Sequence, residues 1–100
     1  MSGTNPINFP LLLVAANDTK QRAHQVLALL VAKLKNNNID PTQHANYQSL
    51  DSAIWTLDGR IATLDNMVGT DSEKVFSLQE AITAVKGAAQ IAQQDIAQLP

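Results

Sequence analysis

The chain contains no cysteine, which excludes a disulfide framework, a thiol nucleophile and the common structural zinc sites. Charge is scarce as well. Lys, Arg, Asp and Glu make up 16% of the residues, the formal net charge is only −2, and the basic residues stand singly or in small pairs such as Lys33 and Lys35. Such scatter leaves no electrostatic footprint for phosphate groups, so nucleic acid is not an expected partner. Asparagine, glutamine, serine and threonine supply the polar faces instead, and weakly charged surfaces of this kind tend towards association.

Long apolar runs are also missing. Phe9 to Ala16 is the one strongly apolar stretch, well short of the ~20 residues a membrane-crossing helix needs. Because no lysine or arginine precedes it, it reads as part of the fold rather than as a signal peptide, and a soluble chain without a transmembrane segment is expected. The compartment stays open. Neither a nucleophile elbow (G-x-S-x-G), a Walker loop, a dinucleotide fingerprint (G-x-G-x-x-G) nor an H-E-x-x-H pair occurs, and neither His24 nor His44 has a histidine or carboxylate at the i+4 position. The expectation is therefore a protein that is not an enzyme, with no catalytic residue, no cofactor and no metal.

What is present is helical periodicity. With 100 residues, 45% of them apolar, the chain suits one domain with its own core. Residues 1–8 carry Ser2, Gly3, Thr4, Asn5 and Pro6 without apolar spacing and read as a mobile polar arm; residues 9–100 read as a single helical domain. The first helix is expected to start near Asn8 with Pro10 in its first turn, and its seam is Leu13, Ala16, Lys20, Ala23, Leu27, Leu30 and Leu34. Asn36, Asn37 and Asn38 stop it, since asparagine tolerates the left-handed conformation of a helix end.

Asp40-Pro41-Thr42-Gln43 then offers a cap, a proline at the first helical position and a glutamine able to reach back. Tyr47, Leu50, Ile54, Leu57, Ile61, Leu64 and Val68 alternate spacings of three and four, which predicts a second helix ended by Gly69. Thr70-Asp71-Ser72-Glu73 opens a third, with the seam Val75, Leu78, Ile82, Val85, Ala89, Ala92, Ile96 and Leu99. The fold class that follows is all-α: an elongated three-helix up-down-up bundle with coiled-coil-like heptad seams.

Several residues fall outside these seams. Lys20 interrupts an apolar row, where it can bury its stem and extend its charge, or set register. Asp51, Asp58 and Asp65 recur every seventh residue beside the second seam, a row suited to pairing with Arg60, Lys33 or Lys86. Trp55, the single tryptophan, points roughly 130° from the core direction at ~100° per residue, and Gly59 follows one turn later on the same side. Leu29, Phe76 and Ile91 are likewise off-seam. Trp55, Gly59, Phe76, Leu29 and Ile91 are accordingly the candidate protein interface. The competing expectation is that Phe9 to Ala16 folds over Trp55 within one chain.

Asp40-Pro41 followed by Ala45-Asn46-Tyr47-Gln48-Ser49-Leu50 resembles the turn and second-helix start of type III secretion needle subunits, small helical hairpins that polymerise. The long third helix after Gly69 departs from their pattern. A non-enzymatic, homo-oligomeric subunit of a bacterial or phage assembly is the expected function. The alternative is a small binding module, such as an adaptor, chaperone or inhibitor, that docks one protein partner through the outer face of the second helix.

Overall fold

A computed structural model describes residues 9–66 and 68–100, with the side chains of all of these except Asp65. The expected arm at 1–8 lies outside the described residues. Three helices follow one another: α1 (Phe9–Asn36), α2 (Ala45–Ala62) and α3 (Asp71–Gln98), with short 3-10 turns at Pro41–Gln43 and Leu64–Asn66. Each helix packs against the other two, in a body 60 × 22 × 16 Å in extent. This is the elongated all-α three-helix bundle that the periodicity predicts.

Polar contacts fix the direction of each helix. Arg60 near the end of α2 reaches Ser77 and Glu80 early in α3, whereas His44 before α2 meets Asp95 late in α3. The paired numbers rise on one helix as they fall on the other, the mark of antiparallel neighbours. Lys33 and Asn37 at the end of α1 both donate to the Pro100 carbonyl, so α1 and α3 run parallel. The path is up, down, up.

The local signals explain most of the boundaries. Pro10 sits in the first turn of α1, where a missing N–H costs nothing. At the other end Asn38 adopts φ 58°, Asn38 N donates to Lys35 O and Ile39 N to Leu34 O. This is a Schellman stop with asparagine in glycine's usual place. Thr70 caps α3 in a full capping box, accepting from Glu73 N while Glu73 accepts from Thr70 N.

Two boundaries differ from expectation. Asp40 caps not α2 but the separate 3-10 turn, accepting from both the amide and the hydroxyl of Thr42, and α2 begins only after His44. At its far end α2 stops at Ala62 rather than at Gly69. Thr63 turns its amide and hydroxyl back onto Gly59 O, and the 3-10 turn that follows carries Leu64 into the core. Val68, expected on the seam, is therefore 96% exposed. Gly69 has φ +129°, a backbone conformation that other residues rarely adopt, but it serves the connection and not a helix end.

The core runs through Ala16, Ala23, Val26, Leu30 and Leu34 of α1, Leu50, Ile54 and Leu57 of α2, and Leu78, Ala81, Ile82, Val85 and Ala92 of α3. On α1 the buried strip is rotated from the expected seam: Thr19 and Val26 are buried, while Lys20 and Leu27 are half-buried. A helix that meets two neighbours buries a wider arc than one heptad row, and Lys20 lies at its edge towards α2. Phe9, Leu12 and Leu13 pack against this same core, so the apolar N-terminal segment is the first part of α1 and does not cover Trp55.

Candidate functional site

α2 is the shortest of the three helices, and its charged residues all lie on its flanks. Asp58 faces α1, where its Oδ1 accepts from Lys20 Nζ at 2.8 Å, and Asp51 lies on the same side in a shallow groove with His24. The hydrogen bond and charge of Lys20 hold the Asp58 carboxyl below its ordinary pKa. Arg60 faces α3, donating to Ser77 O at 2.7 Å and Glu80 Oε1 at 2.9 Å. The cation opposite the aspartate row is thus Lys20, not Arg60, Lys33 or Lys86, because Arg60 is turned to the other flank and Lys33 reaches the chain end. The side chain of Asp65 lies outside the described set.

Between those flanks the outward face of α2 carries no charge. Gln48, Ser52, Trp55, Thr56, Gly59 and Ala62 are all exposed along it. A solvent-facing strip of a helix ordinarily carries charged residues, whereas this one is made of small and uncharged side chains around one tryptophan. Trp55 is 76% exposed. A Cβ built on Gly59 would meet nothing within 4 Å, so the surface one turn from the indole is open, as it is at Gly87 on α3.

The other three candidates are exposed too, but they do not join this face. Leu29 is on α1, and Phe76 and Ile91 are on α3. None of the three lines the groove beside Trp55. At ~100° and 1.5 Å per residue, Phe76 points almost directly away from the core, about 22 Å along α3 from Ile91. Leu11 and Val14 add exposed apolar side chains on the first part of α1. The apolar surface is thus dispersed over all three helices.

A second groove, of about 590 Å³, runs between α1 and α3. Its walls include Ala15, Thr19, Ala23 and Ala89, whose small side chains leave it unfilled, and Arg22, Lys86 and Gln93 also line it. Arg22 is tied to Asp18 at 3.0 Å.

One polar cluster escapes the sequence pattern. The imidazole of His44 hydrogen-bonds through Nε2 to Asp95 Oδ2, and Asn46 Nδ2 donates to the same oxygen at 3.0 Å. Both hydrogen bonds lower the Asp95 pKa, that of His44 first. His44 and Asp95 are 51 residues apart, so no local motif could show them together. The antiparallel register of α2 and α3 is the signal that would have. The pair ties the start of α2 to the end of α3. Nor do three or more metal-ligating side chains gather among the described residues.

The fold and its surface define a small helical bundle with a charge-free outward face on α2, a similar stretch on α3 from Thr83 to Gln98, and dispersed exposed apolar residues. No protein family, curated protein or solved structure matches the chain. No helix among the described residues is long and apolar enough to cross a membrane.

Proposed function

We propose that the chain is a non-enzymatic helical subunit that associates with copies of itself in a larger assembly. The observation that carries this reading is the distribution of exposed apolar side chains: Leu11, Val14 and Leu29 on α1, Trp55 on α2, Phe76 and Ile91 on α3. A module that docks one partner gathers such residues on one face, whereas a subunit enclosed by neighbours needs them on several. The low charge of the intervening surface works in the same direction, since little repulsion opposes contact between identical copies.

A binding module that docks a different protein remains the second reading, favoured by the single tryptophan at the centre of the α2 face, the kind of aromatic anchor that dominates small interfaces. Sedimentation velocity over a wide concentration range separates the two. A mass that climbs above the 10.8 kDa of one chain is the outcome expected for the subunit. A mass that stays there at every concentration overturns self-assembly and leaves the module.

A further inference from the structure

The groove between α1 and α3 opens on the side of the bundle opposite α2, since α1 and α3 alone line it and each helix packs against the other two. Trp55 projects from the other side, 76% exposed. We propose that copies of the chain associate head to tail, Trp55 of one entering the α1–α3 groove of the next, so that α2 lies there as a fourth helix. This rests on the self-assembly reading above and specifies its contact.

The register within one chain already matches knob to hollow. Asp58 meets Lys20, so Trp55, three residues earlier on the antiparallel α2, stands level with Ala23 on α1. Arg60 meets Glu80 and His44 meets Asp95, which sets Trp55 level with about Val85 on α3. Ala23 and Val85 both line the groove. A copy displaced sideways, with neither rotation nor a shift along the bundle, therefore brings its indole over the groove floor.

Unmet polar groups stand where the indole arrives. Thr19, one turn from Ala23 in the same groove, is only 8% exposed, and its hydroxyl has no hydrogen-bond partner among the described residues. It can accept from the indole N–H, which needs a partner once buried. Lys86 also lines the groove and pairs with no carboxylate among the described residues.

Charge singles out Trp55 among the exposed apolar residues of the helices. Asp51 precedes it by one turn, lines the same α1–α2 groove and pairs with no cation among the described residues, so it can meet Lys86 of the next copy. Leu29 is instead followed one turn later by Lys33, which Lys86 would repel. The carboxylates one turn after Val14, Phe76 and Ile91 are already held, Asp18 by Arg22, Glu80 by Arg60 and Asp95 by His44. Gly87 leaves α3 as open as Gly59 leaves α2, but no aromatic side chain stands within a turn of it.

Because knob and hollow lie on opposite sides, the contact is heterologous, and repeated sideways steps give an open row rather than a closed pair. An indole buries about 150–250 Å², and with the adjoining turns of α2 the contact stays in the weak class below about 1,200 Å². Rows should therefore lengthen only at high concentration.

The test uses the full chain and follows mass by sedimentation and folding by thermal melting. Wild-type mass should keep rising past two copies. Trp55→Ala should weaken association by about thirtyfold or more, the loss typical of an aromatic hot spot, and Lys86→Glu by about tenfold or more, with melting close to wild type in both. Asp51→Lys combined with Lys86→Glu should recover association, because the pair returns with its signs exchanged. Mixing reads the head-to-tail geometry directly. Trp55→Ala keeps an intact groove and Lys86→Glu an intact knob, so an equimolar mixture should form pairs that stop at two copies.

Undiminished association in Lys86→Glu, or a mixture that forms no pairs, overturns docking in the groove while leaving self-assembly intact. Wild-type mass that stops at two copies overturns the head-to-tail arrangement. Failure of Asp51→Lys to rescue Lys86→Glu overturns the charge pairing. A wild-type chain that is monomeric throughout removes both the docking and the reading beneath it.

Discussion

Lys20 Nζ stands 2.8 Å from Asp58 Oδ1, so the lysine that breaks the apolar row of α1 finds its counterion on α2 rather than in solvent. The contact lies at the rim of the bundle, where Asp58 is largely exposed, and solvent screens an ion pair in that setting so that it contributes little. Lys20→Met should therefore change stability by less than about 1 kcal/mol in urea unfolding, since the stem keeps its packing. A loss of several kcal/mol would show that the charge, and not the stem, anchors α1 to α2.

Leu57 is fully buried in the second half of α2, opposite the charge-free face. Leu57→Ala should cost roughly 2–5 kcal/mol, through lost burial and the cavity left behind. Ser52→Ala, on the exposed side of the same helix, should alter the stability of the monomer by no more than about 0.5 kcal/mol. Equal effects at the two positions would contradict the placement of the core.

The capping box of α3 gives a third check. Thr70 Oγ1 satisfies Glu73 N, and its loss in Thr70→Ala leaves that amide without its partner. The expected cost is about 0.5–2 kcal/mol by denaturant titration. No measurable change would mean that the start of α3 contributes little to the folded state.

Acid unfolding tests the clamp between α2 and α3. The hydrogen bonds from His44 and Asn46 lower the Asp95 pKa, so the folded chain takes up that proton less readily than the unfolded one. A depressed carboxylate stabilises fully above its unfolded pKa of about 3.9 and ceases to do so as pH falls through the lower folded value. The stability difference between wild type and Asp95→Asn should accordingly shrink as pH drops from about 6 towards 2. A difference that is constant across this range would contradict the account of Asp95.

Helix number, order and most core positions were legible in the sequence because one period governs each seam and the stop at Asn38 and the start at Thr70 use local hydrogen bonds. The errors sit where tertiary contacts overrule local ones. Val68 continues the apolar spacing of α2 perfectly, yet Thr63 ends the helix first by bonding back to Gly59 O and Leu64 takes the last core position. Thr19, a polar residue off the expected row, is only 8% exposed because α1 is covered by two helices and not by one. Lys20 pairs with Asp58, and His44 with Asp95, across distances of 38 and 51 residues that periodicity does not span. The exposure of Trp55 could be read from its angle to the seam, whereas the bareness of the whole face needed the flanks assigned: only when Asp51 and Asp58 are seen to turn to α1 and Arg60 to α3 does the strip between them emerge.

The central claim is that Trp55 faces water in the single chain and becomes covered when copies associate. Trp55 is the one tryptophan, so its fluorescence reports on that face alone. Emission and acrylamide quenching should be followed on the wild-type chain along a dilution series, with mass measured on the same samples. At low concentration the indole should emit as a solvated group and be readily quenched; as the mass rises, emission should shift to shorter wavelength and quenching should fall in step. A rise in mass with Trp55 still fully quenchable, or an indole already shielded in the monomer, would contradict the claim.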